Sequence, residues 1–151
     1  MDNKQQLIQG IVVTDLKIIP NDKGDIYHIL KSSDLSYNGF GEAYFTTIKK
    51  GCVKGWKKHN SMISNLIVPT GIVRLVFYDD RSDSLTANSV NIFELSSVNY
   101  KRITVLPGVW FAFEGLSEYN LMLNISNINH DRNDSDNICL DNSSFNYYKL
   151  I

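Results

Sequence analysis

Apolar residues in this chain fall into short runs, many of them β-branched or aromatic and interleaved with polar residues, and turn-forming clusters separate the runs. Residues 11–19 end at Pro20-Asn21-Asp22-Lys23-Gly24, residues 26–30 follow, residues 42–48 end at Lys49-Lys50-Gly51, and residues 64–68 end at Pro69-Thr70-Gly71. The run from Ile72 to Tyr78 has the densest β-branched and aromatic content and stops at Asp79-Asp80-Arg81-Ser82-Asp83. Residues 90–95, 102–106, 109–113 and 121–125 complete the set. No long segment carries a 3.6-residue period; one helical turn is expected at 32–35, where serines and Asp34 can cap it. Many short strands without intervening helices predict an all-β sandwich or closed barrel, with a jelly roll as the natural arrangement. Residues 129–144, rich in Asn, Asp and Ser, are expected to form an irregular polar segment ahead of an aromatic patch at Phe145, Tyr147 and Tyr148 that covers a barrel edge or a dimer seam.

A length of 151 residues fits a single domain over residues 1–151. With 43% hydrophobic and 21% charged residues the chain can fold around its own core. A net charge of -1 supplies no field to gather phosphate backbones, so nucleic acid is not an expected partner and any anion site must be local. The stretch from Met1 to Gln9 is polar and no apolar run approaches a membrane span, which predicts a cytoplasmic protein without a membrane partner. Cys52 and Cys139 lie far apart with no paired spacing, and both are expected to be reduced and structural.

Three segments carry a resemblance. Gly51-Cys-Val-Lys-Gly-Trp-Lys-Lys-His59, followed by Asn65-Leu-Ile-Val-Pro-Thr-Gly71, looks like the first half of a cupin barrel of the dTDP-4-dehydrorhamnose 3,5-epimerase family. Ile103-Thr-Val-Leu-Pro-Gly-Val-Trp-Phe-Ala-Phe113 is similar to that family's second signature, and Asp22-Lys-Gly-Asp-Ile-Tyr-His28 resembles its nucleotide-contacting segment. The resemblance implies a cupin jelly-roll homodimer with a sugar nucleotide in each barrel mouth and part of the nucleotide site given by the neighbouring chain. It also implies a cofactor-independent isomerase or epimerase acting on a keto-deoxy sugar nucleotide in bacterial surface-polysaccharide synthesis. The chain departs from the pattern at several positions. Where the epimerases carry Arg-Gly-x-His, this sequence reads Lys54-Gly55-Trp56-Lys57, and against the Arg-Gly-x-His-x-His of the related 3,4-ketoisomerases only His59 matches. The family's lysine on the next strand falls at Asn65 or its neighbours, its tyrosine near Asn124, and its second-signature histidine at Phe111. These departures motivate a second reading, a non-catalytic sugar-nucleotide or glycan-binding cupin.

Epimerisation beside a ketone needs a base for the α-proton and a donor for the enolate oxygen. His59 supplies the base, with Lys57 or Asn65 as donor. Lys57 and His59, two apart on a strand, share a face with Gly55. On residue types alone Lys57-Lys58-His59 reads as a solvated turn after Trp56; the resemblance turns His59 inward. Lys54 replaces the family's diphosphate-contacting arginine and keeps the charge without the bidentate fork. Arg74 can line the mouth or snorkel to water, and Tyr44, Trp56, Trp110 and Phe113 can stack on a ligand or fill core. Lys23 and His28 belong to the nucleotide-contacting segment. His130, Asp131, Asp134 and Asp136 read as a solvated loop, and no metal is expected.

Overall fold

The structure, a computed structural model, describes residues 6–151; the first five residues of the polar opening lie outside the described residues. Two five-stranded antiparallel sheets face each other. The first has the order β1 (Ile11–Asp15), β9 (Lys101–Val105), β6 (Ser64–Thr70), β11 (Leu121–Ser126) and β4 (Glu42–Thr47), with strands numbered along the chain. The second has the order β12 (Ser135–Asn137), β5 (Val53–His59), β10 (Trp110–Gly115), β7 (Ile72–Tyr78) and β8 (Val90–Ser96). A hairpin of β2 (Ile18–Ile19) and β3 (Ile26–Tyr27) stands apart. This is the all-β, single-domain jelly roll that the strand-and-turn pattern predicts.

Alternation along each strand decides what the fold buries. Leu66, Val68, Ile103 and Val105 from the first sheet meet Val73, Leu75, Phe77 and Phe111 from the second in one core, each at most 4% exposed. Burying side chains of this size stabilises the fold by about 1.5–3 kcal/mol apiece. On the outer face of the second sheet Trp56, Val76, Trp110 and Ala112 pack under Phe145 and Tyr147. Phe145 and Tyr147 of the C-terminal aromatic patch therefore cover a sheet face and Tyr148 stays exposed, with Tyr147 opening the short helix α1 (Tyr147–Leu150), the one α-helix among the described residues.

The N-terminal arm packs on the outer face of the first sheet, where Leu16, Ile18 and Ile29 meet Ile67, Tyr100 and Leu123. No helical turn forms at 32–35. The Asp34 carboxylate accepts the Lys31 backbone N–H and is gripped at 3.0 Å by the fully buried Arg102, which also donates to Ser36 Oγ at 2.8 Å. That pinning holds the segment as turns and satisfies a buried guanidinium, an outcome worth more than a few residues of weak helix propensity. The run at 11–19 is split into β1 and β2, and the run at 26–30 keeps only Ile26 and Tyr27 in strand. β6 continues through Pro69 and breaks at Gly71, whose positive φ of 82° and close approach to the Tyr119 carbonyl leave no room for a Cβ. Within 129–144 the chain forms a 3-10 turn at Arg132–Asp134 and then β12, which pairs with β5. Cys52 and Cys139 are exposed and unpaired, so neither fills a core position.

Candidate functional site

β5 carries Lys54, Lys57 and His59, three of the residues singled out from sequence. Its pairing with β10 matches Phe111 to Lys57 and Phe113 to Lys54, so β5 holds one extra residue, a bulge at Gly55–Trp56. Gly55 takes a φ of 132°, and a Cβ there would fall 2.7 Å from that of Ala112. The bulge brings Lys54 and Lys57, three apart in sequence, to one side of the sheet.

Between the sheets lies a cavity of about 60 Å³, lined from β5 by Lys57 and His59, from β10 by Phe111 and Phe113, and from the first sheet by Tyr44, Thr46, Leu66, Met122 and Asn124. It opens into an outer cleft of about 260 Å³ that shares Tyr44, Thr46, Lys57, Phe111 and Phe113 and adds Lys54, Gly55 and Asn137. Together they reach the roughly 300 Å³ at which small-ligand sites begin. A separate surface groove of about 320 Å³ near Asp15, His28 and Asp34 has no buried titratable base in its lining. The inner cavity, by contrast, has the buried His59 in its lining.

His59 is 6% exposed and its ring packs on Phe111 at 5.8 Å between centroids. Its Nδ1 lies 3.6 Å from Asp134 Oδ2, an ion-pair distance longer than a hydrogen bond. The same histidine lines the cavity. Asp134 is itself fixed, because its carboxylate accepts the Met62 backbone N–H at 3.0 Å and its carbonyl accepts that of Asn60 at 2.7 Å. Burial and then the Lys57 ammonium push the His59 pKa below its ordinary value of 6.5, against the opposing pull of Asp134. These surroundings favour the neutral imidazole, the form that accepts a proton.

Opposite stand Tyr44 and Asn124. The Tyr44 hydroxyl accepts a hydrogen bond from Asn124 Nδ2 at 2.9 Å, and Asn124 Oδ1 is buried without a partner among the described residues. Lys54 lies at the cleft rim, where its Nζ donates to the Thr47 carbonyl at 3.0 Å. Among the described residues no group of three or more His, Cys, Asp or Glu side chains is placed to hold a metal ion.

The structure therefore brings together His59, Lys57, Lys54, Tyr44 and Phe113 of the residues singled out from sequence, and leaves six elsewhere. Asn65 faces outward on β6, its amide bonding the Ile125 carbonyl at 3.1 Å and accepting from Thr104 Oγ1 at 2.7 Å; its neighbour Leu66 lines the cavity. Trp56 is fully buried under Phe145 and Tyr147 on the far face of the second sheet. Trp110 shares that face, donating to Asp80 at 2.8 Å with the Lys58 ammonium 4.7 Å from its ring centroid. Arg74 is tied to Glu94 at 3.0 Å and Glu114 at 3.1 Å. Lys23 sits in an exposed turn and His28 in the separate groove. Asp134, Thr46 and the cavity-facing side of Asn124 were not singled out as site groups from sequence. An aspartate in an Asn/Asp-rich run gives no signal of facing a histidine until β12 is seen to pair with β5.

No family model matches the chain. It is 26% identical over 132 residues, 85% of each chain, to a protein of Haloferax volcanii named as a probable low-salt glycan biosynthesis epimerase. It is 24% identical over 117 residues, 78% of each chain, to a spore coat polysaccharide biosynthesis protein of Bacillus subtilis. The crystal structure of a dTDP sugar isomerase from Desulfovibrio desulfuricans superposes with a TM-score of 0.85 at 29% identity, covering 89% of this chain and 87% of that one. Fold and relatives together bear out the resemblance read from the sequence: the chain has a cupin jelly-roll fold and is similar to sugar isomerases and epimerases. These relatives include a dTDP sugar isomerase and a probable glycan-biosynthesis epimerase, the class of enzyme expected from sequence. No helix among the described residues is long and apolar enough to cross a membrane.

Proposed function

We propose that this protein is an epimerase or isomerase of a keto-deoxy sugar nucleotide, working by proton abstraction next to the ketone in surface-polysaccharide synthesis. The observation that carries the reading is the buried imidazole of His59, held toward its neutral form and backed by Asp134 at 3.6 Å, in a cavity whose mouth bears Lys57 and Lys54. His59 Nε2 takes the α-proton, the C–H electron pair forms the enolate, and Lys57 stabilises the oxygen as charge develops there. Lys54 at the rim offers a point charge to the diphosphate. The ligand extends from the inner cavity into the cleft, since 60 Å³ admits only the reacting edge of a sugar ring.

The exposed, unpaired thiols of Cys52 and Cys139 fit a reducing compartment, and we place the reaction in the cytoplasm. Lys23 and His28 lie away from the cavity of their own chain, while Ile26 is 54% and Phe45 63% exposed. A homodimer that covers these apolar residues and delivers the Lys23–His28 segment to the partner's cleft accounts for both. The measurement is proton NMR of 4-keto-6-deoxy sugar nucleotides in deuterated water with catalytic amounts of protein. The α-proton of one of them exchanges, and His59→Gln abolishes the exchange. Thermal stabilisation by a sugar nucleotide with neither exchange nor product establishes instead the non-catalytic binding reading, which Leu66, Phe111 and Asn124 in place of ionisable cavity groups favour.

A further inference from the structure

Resting on the reading of this cavity as a sugar-nucleotide site, we propose that Asn124 is a specificity-determining residue. Its buried side-chain carbonyl selects a sugar that carries a free hydroxyl on its reacting edge, against deoxy, O-methyl and N-acyl counterparts.

The place of Asn124 follows from strand register. On β11 it lies opposite Tyr44 of β4 on one side and Leu66 of β6 on the other. Directly paired residues point to the same face of a sheet, and all three line the cavity between the sheets. Met122, two residues earlier on the same strand, shares that wall. Asn124 is thus a polar group set beside Leu66 and Met122, with Phe111 and Phe113 contributed by the other sheet.

The amide is engaged at one end only. Asn124 Nδ2 donates to the Tyr44 hydroxyl across the strand pair at 2.9 Å, which fixes the plane of the amide. The residue is 4% exposed, and its Oδ1 is buried with no hydrogen-bond partner among the described residues. The side chains of Leu66 and Met122 have no N–H or O–H to offer it. Sequestering an acceptor without a donor is unfavourable, and nearly all such groups in folded proteins are satisfied. An orphaned carbonyl in the wall of a ligand cavity therefore takes its partner from the ligand.

A carbonyl oxygen only accepts, and that defines what it selects. A hydroxyl on the sugar donates to it. A methylene, a methyl ether or a second ketone at that position donates nothing and leaves the oxygen unpaired, the situation in which a polar site discriminates most strongly. An acylated amine has an N–H, but a cavity of about 60 Å³ that takes the reacting edge leaves no room for the acyl group. The substrate class is accordingly the hydroxylated keto sugar and not the N-acetylated one. His59 and Lys57 belong to the other sheet, so selection and proton abstraction rest on separate elements.

The test measures binding, which keeps it apart from turnover. Isothermal titration calorimetry of wild type and Asn124→Leu uses a 4-keto-6-deoxyhexose linked to thymidine or uridine diphosphate, together with its 2-deoxy, 3-deoxy and 2-acetamido counterparts. Wild type binds the parent sugar about 10- to 100-fold more tightly than one of the two deoxy sugars, and at least about tenfold more tightly than the acetamido sugar. Asn124→Leu, similar in shape without the carbonyl, binds the parent and that deoxy sugar within threefold of each other. Unliganded Asn124→Leu melts no lower than wild type, because the orphaned acceptor is gone. Asn124→Ala repeats the loss of preference with a side chain too small to clash. Deoxy or acetamido sugars bound by wild type within threefold of the parent overturn the proposal. A preference that survives in Asn124→Leu also overturns it and leaves Asn124 a structural role. A preference that Asn124→Leu erases, in a protein that exchanges no α-proton, upholds the proposal and removes the catalytic reading. Binding of none of these sugars overturns the site and the proposal together.

Discussion

Asp134 Oδ2 stands 3.6 Å behind His59 Nδ1, and both side chains are less than one-tenth exposed. The aspartate arrives at the end of a 3-10 turn and is fixed by the Met62 N–H before it meets the imidazole, so the ring rather than the carboxylate adjusts. A fixed carboxylate behind Nδ1 restrains the orientation of a ring that lines the cavity. His59→Gln keeps the volume and loses the base. We expect α-proton exchange to fall by about 10²- to 10⁴-fold, the range for a positioned general base, with the melting curve close to that of wild type. Exchange in a folded His59→Gln protein within threefold of wild type would place the base elsewhere.

The charges around His59 act in opposite directions, which gives two shifts of opposite sign. Lys57 lowers the imidazole pKa and Asp134 raises it. The base works in its neutral form, so the acid limb of kcat/KM follows this group in the free enzyme. Lys57→Met moves that limb to higher pH, and Asp134→Asn moves it to lower pH, since the amide oxygen can still accept the Met62 N–H. Limbs that move together, or not at all, would mean that the profile reports another group.

The same depression ties stability to pH. With a folded pKa below the unfolded 6.5, the unfolded chain binds the proton more readily. The contribution of neutral His59 is complete above about pH 6.5 and is lost as pH falls through the folded value. Urea midpoints measured from pH 7.5 down to pH 5 should decline less steeply for His59→Gln than for wild type.

Which of these residues could be read from the chain depended on strand phase. Ile72–Tyr78 was legible to the residue because its β-branched content and the following aspartates mark both ends. Lys57 and His59 share a face as the period of two requires. Asn65 shows the limit: alignment of the motif reaches it or a neighbour, and a one-residue difference on a strand turns the side chain to the other face of the sheet, so Leu66 lines the cavity instead. Trp56 illustrates the same point. An aromatic beside a catalytic motif reads equally as stacking platform or core, and only the packing of Phe145 and Tyr147 from about ninety residues away decides it. Ser135–Asn137 has no strand signal at all, because an edge strand is specified by the partner it pairs with.

Lys54 tests the outer cleft. Its ammonium is exposed and, among the described residues, bonds only the Thr47 carbonyl, so solvent and salt screen what it can offer a diphosphate. Lys54→Ala should raise KM by no more than about tenfold with kcat unchanged, and the effect should shrink as ionic strength rises. A fall in kcat at saturating substrate would move Lys54 from binding into the chemical step.

Trp56 separates the two faces of β5. Its side chain is fully buried, with its ring 5.4 Å from that of Phe145 and 6.0 Å from that of Tyr147, and it lines neither the cavity nor the cleft. Trp56→Ala leaves a void beneath the C-terminal segment and should cost about 3–5 kcal/mol in urea denaturation. Trp56→Phe retains most of the contact and should cost less. Because the indole is on the opposite face from His59, KM for a sugar nucleotide in the folded Trp56→Phe protein should stay within twofold of wild type. The cavity-side comparison is Phe113→Leu, where the ring walls both cavity and cleft and the same measurement should show KM rising with little loss of stability, Phe113 being only partly buried. A stable Trp56→Phe protein that has lost affinity would put the ligand on the outer face of the sheet and contradict the site.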